Sequence, residues 1–78
     1  MLIIYTKDGC PYCEKVKDSF LGKSAGFLEK NISSNEDYVK ELIDLGGKKQ
    51  VPFLYDTSAG VKMYESEDIL DYLNEGVF

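Results

Sequence analysis

The sequence contains no histidine, no arginine and no tryptophan, and only two of its 78 residues are cysteines. Without histidine, the chain cannot form a Cys–His or Ser–His–Asp catalytic group, nor a zinc site with an imidazole ligand. Without arginine, it has no bidentate clamp for a carboxylate or a phosphate. Two cysteines are too few for a four-cysteine metal site within one chain or for a dense disulfide scaffold. Covalent chemistry therefore falls to Cys10 and Cys13.

Long apolar runs and an excess of positive charge are also missing. No apolar stretch approaches the roughly 18–20 residues that a membrane helix needs. The segment Met1–Lys7 lacks the basic and the long apolar regions of a signal peptide. The net charge of −5 argues against nucleic acid, because a phosphate backbone is held mainly by clustered lysine and arginine. We therefore expect neither a membrane nor a nucleic-acid partner.

Residues 1–78 are expected to form one small domain, because no repeat, low-complexity stretch or linker interrupts the chain. Apolar runs bounded by turn residues predict strands at 2–6, 27–32, 51–55 and 61–64, alternating with three amphipathic helices. The order is βαβαββα. Its βαβ start predicts a parallel strand pair, and the later hairpin adds an antiparallel pair to the same sheet. The expected fold is α/β, with a four-stranded mixed sheet and helices on both faces.

Capping residues predict where the helices begin. Pro11 is expected at the first position of the first helix, where its missing N–H does no harm. Ser33 is predicted to cap the second helix in a capping box with Glu36, and Ser66 to cap the third. The glycines expected to end the helices are Gly22 and Gly26, Gly46 and Gly47, and Gly76. The side chains expected to face the core are Cys13, Val16 and Phe20, then Tyr38, Val39, Leu42, Ile43 and Leu45, and finally Ile69, Leu70, Tyr72 and Leu73.

The segment Cys10-Pro11-Tyr12-Cys13 is the strongest chemical signal in the chain. A spacing of three on a helix places the two Cβ atoms about 5–6 Å apart, so a disulfide can close with little backbone movement. At a helix N-terminus, the Cys10 sulfur can accept a hydrogen bond from the Tyr12 or Cys13 amide, and Lys7 adds positive charge nearby. These effects stabilise the thiolate and lower the pKa of Cys10 below the usual value of about 8.5. Cys13, one turn further in, is expected to be the less exposed thiol.

Two other interpretations of the pair stay open at this point. Free cysteines are often buried and inert, so both could simply be core residues. The pair could also be half of a zinc or iron–sulfur site that is completed by a second chain or an external thiol. The surrounding strand, glycine turn and proline favour a redox pair over both.

The same segment, placed after a short first strand, resembles the dithiol glutaredoxins. The resemblance spans nearly the whole chain, including the element order and the Val51-Pro52 pair. It implies a thioredoxin-like fold and the reduction of protein disulfides and of mixed disulfides with glutathione. In that family, Cys10 matches the attacking thiol and Cys13 the resolving thiol. Tyr12 matches the aromatic residue beside the glutathione groove, and Lys7 matches the basic residue near the glycyl carboxylate.

The resemblance extends to two further segments. From base rates alone, Pro52 would be a trans proline at the start of an edge strand, whereas the family has a cis proline here that faces the active cysteine. The Val51 N–H and C=O would then be available to pair with an extended peptide. Ser66 and Glu67 match the γ-glutamyl site, where amides at a helix N-terminus hold a carboxylate.

The chain departs from the glutaredoxin pattern at several of these positions. Gln50 stands where the family usually has threonine, and Glu67 stands where it usually has aspartate. The segment Tyr64-Glu65-Ser66 looks more like the N-terminal domain of glutathione transferases, which shares this fold. Tyr64 itself is interpreted as a packing residue, together with Tyr38, Tyr55 and Tyr72.

The resulting prediction is a glutathione-dependent thiol–disulfide oxidoreductase that acts through Cys10 and Cys13. Glutathione is its reductant and co-substrate, disulfide-containing proteins are its other partners, and no bound cofactor or metal is expected. A reducing cytoplasm is the expected location, because the chain has no targeting signal and the cysteine pair is of the catalytic rather than the structural kind. A monomer is also expected. One alternative is a thioredoxin-like redoxin that is reduced by a flavoprotein reductase. Another is a binding module for glutathione or a cluster, without turnover.

Overall fold

A computed structural model describes residues 1–20 and 26–75 of the chain. Its elements follow the predicted order βαβαββα. They are β1 (Leu2–Thr6), α1 (Pro11–Asp18), β2 (Phe27–Asn31), α2 (Glu36–Gly46), β3 (Phe53–Asp56), β4 (Val61–Met63) and α3 (Ser66–Glu75). The expected helix stops at Gly22 and Gly76 lie outside the described residues. None of the helices described is long and apolar enough to cross a membrane.

The four strands form one mixed sheet in the order β2-β1-β3-β4. The β1–β2 pair is parallel, as the βαβ start predicts, and the β1–β3 and β3–β4 pairs are antiparallel. All five residues of β1 are buried, because this central strand is covered on both of its faces. The α/β fold with a four-stranded mixed sheet is therefore confirmed.

Two apolar cores lie on opposite faces of the sheet, because successive strand residues point to opposite sides. Leu2 and Ile4 point towards α1 and α3, whereas Ile3 and Tyr5 point towards α2. The buried residues of the first core are Leu2, Ile4, Val16, Phe20, Leu54, Ile69 and Leu73. Those of the second are Ile3, Tyr5, Ile32, Leu42 and Phe53.

The start of α2 differs from the prediction. Asn35, not Ser33, is the cap, and its Oδ1 accepts a hydrogen bond of 2.8 Å from the Asp37 N–H. The Ser33 hydroxyl instead accepts the Asp8 N–H at 3.0 Å, so it serves the loop after β1. Ile43, predicted to face inward, is 42% exposed, while Leu42 beside it is fully buried. The glycine stop is confirmed, with Gly47 in the left-handed conformation at φ 93°.

Three elements end at other residues than predicted. The first helix ends at Asp18, well before Gly26, β2 ends at Asn31 rather than at 32, and β3 ends at Asp56 rather than at 55.

Three further boundaries also differ from the prediction. The third strand begins at Phe53, so Val51 and Pro52 lie before it, and β4 ends at Met63 rather than Tyr64. Ser66 is the first residue of α3 and not its cap. Glu65 occupies the position before the helix, where its carbonyl oxygen accepts the Ile69 N–H at 2.9 Å.

We expect Asp56→Asn to lower the free energy of unfolding at pH 7 by about 1.5–3 kcal/mol, the usual range for hydrogen bonds to a charged group. Asp56 is buried and accepts hydrogen bonds from the Tyr72 hydroxyl at 2.6 Å and the Ser58 N–H at 3.1 Å. The Tyr72 hydrogen bond holds the pKa of Asp56 below its usual value. A lowered carboxyl pKa stabilises the fold above the unfolded pKa of about 3.9, and this stabilisation is lost as the pH falls through the folded pKa.

Urea unfolding at pH 7 and at pH 3 or below measures this effect. The difference between Asp56→Asn and the unmodified protein should shrink at the lower pH. Hydrogen bonds from Thr6 and Lys30 also lower the pKa values of Glu29 and Glu41, so both proteins lose some stability in acid. Asp71→Asn, at an exposed position of α3, is the control and should change little. An equal difference at both pH values would contradict the role of the Asp56 charge.

Candidate active site

The two cysteines lie at the start of α1, as predicted. Cys10 is the residue before the helix, Pro11 is the first helical residue, and the Cys13 N–H donates to the Cys10 Sγ at 3.2 Å. Cys10 and Cys13 are joined as a disulfide, with their Cα atoms 5.2 Å apart. Cys10 is 6% exposed and Cys13 is fully buried, so Cys10 is the more accessible of the two. The pair therefore has the geometry of a couple that opens and closes without rebuilding the helix.

The turn before Cys10 is tied to the end of β2. The Asp8 N–H donates to the Ser33 hydroxyl at 3.0 Å, and the Asn31 side-chain amide donates to Asp8 Oδ1 at 2.9 Å. Gly9 has φ +72°, a conformation that favours glycine. These contacts hold the backbone that leads into Cys10, so the position of its sulfur is set by β2 as well as by α1.

A charged network joins α1 to the sheet behind the cysteines. Lys17 Nζ contacts Glu14 at 2.9 Å and Glu29 at 3.1 Å, and the buried Thr6 hydroxyl donates to Glu29 at 2.5 Å. The Thr6 hydrogen bond and then Lys17 lower the pKa of Glu29, while the hydrogen bonds to the two carboxylates raise the pKa of Lys17. This network orients α1 on β1 and β2 but lies outside the groove described next.

A groove of about 510 Å³ opens beside the start of α1. Its walls come from three segments that are distant in sequence: α1, the loop before β3, and the beginning of α3. The residues that line it are Tyr12, Gln50, Val51, Pro52, Tyr64, Glu65, Ser66, Glu67 and Asp68. Five of the six residues predicted to contact glutathione are thus brought together. Lys7 is exposed and is not among the lining residues.

The loop wall of the groove presents unpaired backbone. The Val51–Pro52 peptide bond is cis, as the resemblance implies. Val51 lies before β3, and within the described ranges 1–20 and 26–75 neither its N–H nor its C=O makes a backbone hydrogen bond. The half-buried Val51 can therefore pair with an extended peptide in the groove.

The α3 wall presents a helix N-terminus and several carboxylates. The amides of Ser66, Glu67 and Asp68 donate to no group in the described part of the chain, as expected for the first turn of a helix. Such amides, with the positive end of the helix dipole, favour a bound carboxylate. Glu65, Glu67 and Asp68 are exposed around them, so this wall can also accept an ammonium group. No lysine is among the lining residues.

Tyr64 is a groove residue that the sequence interpretation assigned to packing alone. Its ring does pack, with its centroid 4.6 Å from that of Phe53, but it also lines the groove. The position of Tyr64 directly before Glu65-Ser66 could have indicated a groove residue, but the prediction placed Tyr64 in the strand over 61–64. Tyr38, Tyr55 and Tyr72 are half-buried, as predicted. The described residues contain no group of three or more potential metal ligands.

Comparison with known proteins gives a family and a set of related sequences. Residues 2–59 match the family model for glutaredoxins. Glutaredoxin 3 from Escherichia coli (strain K12) is 36% identical over 52 residues, which are 67% of this chain and 63% of that protein. The same match is found to glutaredoxin 3 of Escherichia coli O157:H7. The chain thus spans somewhat less than two thirds of the length of these curated relatives.

Solved structures with the same fold include a glutathione S-transferase from the Antarctic clam Laternula elliptica. It is 33% identical, with a TM-score of 0.77, and the match covers 95% of this chain and 34% of that one. The buckwheat glutaredoxin–glutathione complex has a TM-score of 0.74 at 20% identity, covering 97% of this chain and 70% of that one. A glutaredoxin from Archaeoglobus fulgidus has a TM-score of 0.76 at 17% identity, covering 96% and 86%. For these two glutaredoxins, at 20% and 17% identity, the likeness shows the thioredoxin-like fold alone.

Proposed function

This chain belongs to the glutaredoxin family, and from that membership we propose that it is a glutathione-dependent thiol–disulfide oxidoreductase. The observation that carries the proposal is the position of Cys10, whose sulfur accepts the Cys13 N–H at the start of α1. In the reduced protein, that amide and the helix N-terminus stabilise a thiolate. A stabilised, accessible thiolate beside a second thiol is what a dithiol redox catalyst requires.

The reaction on a protein disulfide proceeds in balanced exchange steps. The Cys10 thiolate attacks one sulfur of the substrate, which forms a mixed disulfide and releases the other substrate sulfur as a thiolate. The Cys13 thiolate then attacks the Cys10 sulfur, closes the intramolecular disulfide and releases the second substrate thiol. Two glutathione molecules reopen the pair and leave as oxidised glutathione. The net change is one substrate disulfide reduced and two glutathione thiols oxidised.

A mixed disulfide of glutathione needs only Cys10. The Cys10 thiolate takes the glutathionyl sulfur and releases the substrate thiol. A second glutathione thiolate then attacks that sulfur, which forms oxidised glutathione and regenerates the Cys10 thiolate. Cys13 takes no part in this route, so a substitution of Cys13 can separate the two routes.

The groove is proposed to hold glutathione as an extended peptide. Its backbone would pair with the Val51 N–H and C=O, Tyr12 and Pro52 would flank its cysteine, and its γ-glutamyl carboxylate would accept the Ser66 and Glu67 amides. The carboxylates at the start of α3 are suited to the γ-glutamyl ammonium. Two proteins of this fold are named for glutathione, the clam transferase and the buckwheat complex, and their likeness supports this assignment.

Five of the predictions rest on the sequence alone. Lys7 as the partner of the glycyl carboxylate, the single domain over 1–78, the monomer, the protein substrates and the cytoplasmic location stay predictions. Lys7 is exposed in the turn before Cys10, so its contribution is testable by substitution.

We expect the reduced protein to turn over a glutathionylated peptide with glutathione as the electron donor. The assay couples oxidised glutathione to glutathione reductase and follows the loss of NADPH. In a parallel reaction, a flavoprotein thioredoxin reductase replaces glutathione. Turnover with the flavoprotein alone would favour the redoxin alternative. No turnover with either donor, together with retention of glutathione or a reconstituted cluster, would favour the binding module.

A further inference from the structure

Tyr64 connects the two chain segments that lead into two walls of the groove, the loop before β3 and the start of α3. It precedes Glu65 and α3 in the chain, yet its hydroxyl reaches the backbone of Lys48, sixteen residues earlier. The hydroxyl donates to the Lys48 carbonyl oxygen at 2.7 Å and accepts the Lys48 N–H at 3.2 Å. One side chain therefore joins the segment that leads into α3 to the segment that leads into Val51.

The aromatic ring of Tyr64 makes two contacts. The centroid of its ring lies 4.6 Å from that of Phe53, the buried first residue of β3. Lys48 Nζ lies 4.8 Å from the Tyr64 ring centroid, in cation–π range. The ring thus packs on Phe53 while its hydroxyl binds the backbone of Lys48, so Tyr64 ties Lys48 to the core.

Gly46, the last residue of α2, provides the space for this arrangement. A Cβ atom at this position would overlap the hydroxyl oxygen and ring carbons of Tyr64. Gly46 does not have a positive φ, in contrast to Gly47, which follows it. Glycine is therefore needed at position 46 because Tyr64 approaches so closely, and not because of its backbone conformation.

We propose that Tyr64 is a positioning residue for the glutathione groove. By holding Lys48, it sets the place of Val51, three residues further on, relative to Ser66 and Glu67 at the start of α3. This inference rests on the proposed function, because it concerns a ligand that touches both walls. An extended peptide that must contact both walls binds more tightly when they are already at the right separation.

The test is Tyr64→Phe, which keeps the ring on Phe53 and removes both hydrogen bonds to Lys48. We expect KM for a glutathionylated peptide to rise about three- to tenfold, the range that one or two net hydrogen bonds provide. We expect kcat to stay within about twofold, because groove binding and not the exchange chemistry is affected. The rate of Cys10 alkylation by iodoacetamide should be unchanged, because the turn 7–9 and α1 position that thiol.

Two further variants separate positioning from a general loss of stability. Gly46→Ala should also raise KM, and combining it with Tyr64→Phe should give less than the product of the two effects, since both act on one contact.

Tyr55→Phe is the matched control. Tyr55 is a half-buried tyrosine of β3 that lies outside the groove, and among the described residues the tyrosine hydroxyls that form hydrogen bonds are those of Tyr5, Tyr64 and Tyr72. Its KM should equal that of the unmodified protein.

The outcomes distinguish this inference from the function on which it rests. If the unmodified protein does not turn over the glutathionylated peptide, the proposed function fails and the positioning role fails with it. If the unmodified protein turns over and Tyr64→Phe has an unchanged KM, only the positioning role is overturned. Urea unfolding of each variant shows that the comparison is between folded proteins. A lower stability of Tyr64→Phe with an unchanged KM would likewise overturn only the positioning role.

Discussion

Replacing Cys10 with serine should abolish every disulfide-exchange activity of the protein, with a loss of roughly a thousandfold or more. Cys10 is the more accessible thiol, and both proposed exchange routes begin with its thiolate. Cys13→Ser should behave differently. It should abolish the reduction of substrates that require the intramolecular disulfide, while the reduction of a glutathionylated peptide continues, because that route does not use Cys13.

The measurement is the initial rate of each variant on two substrates, a protein disulfide and a glutathionylated peptide. The serine variants differ from the natural residues by one atom, so urea unfolding of both should confirm intact folds. Equal losses from Cys10→Ser and Cys13→Ser on the glutathionylated peptide would contradict separate attacking and resolving roles.

The second large effect concerns the acidity of the Cys10 thiol. In the reduced protein, we expect Cys10 to react with iodoacetamide at a midpoint well below pH 8.5. The Cys13 N–H, 3.2 Å from the Cys10 sulfur, and the start of α1 both favour the charged form. An ordinary thiol is about 3% ionised at pH 7, so a fully ionised Cys10 gains up to about 30-fold in reactive fraction. The lower nucleophilicity of a weaker base removes part of that gain.

Alkylation rates between pH 4 and 10, followed by mass spectrometry in the Cys13→Ser background, give the midpoint of Cys10 alone. Lys7→Gln in the same background separates the contribution of Lys7 from that of the helix. We expect the midpoint to stay low in this variant, because the hydrogen bond from the Cys13 amide is unchanged. A midpoint near 8.5 in the protein that keeps Lys7 would overturn the thiolate argument.

Local sequence patterns predicted most of the fold and the position of the cysteine pair. The apolar run at 2–6, the turn glycine, Pro11 and the cysteine spacing act over a few residues, so their conformations follow from near neighbours. The same holds for the end of α2, where Gly47 adopts the left-handed conformation that favours glycine. The groove residues Val51 and Ser66 were assigned through the family resemblance, which carries information about distant contacts that no local pattern holds.

The sequence by itself determined the cysteine pair, the order of the elements and the helix that begins at Pro11, because each depends on residues close together in the chain. Tertiary structure decided the features that depend on distant partners. The Ser33 hydroxyl accepts the N–H of Asp8, 25 residues away, and Asn35 rather than Ser33 caps α2. Tyr64 binds Lys48, sixteen residues away, so a tyrosine interpreted as core packing also becomes a wall of the groove. A side chain with two possible partners takes the one that the completed fold brings within hydrogen-bond distance, and that choice cannot be predicted from its neighbours in the chain.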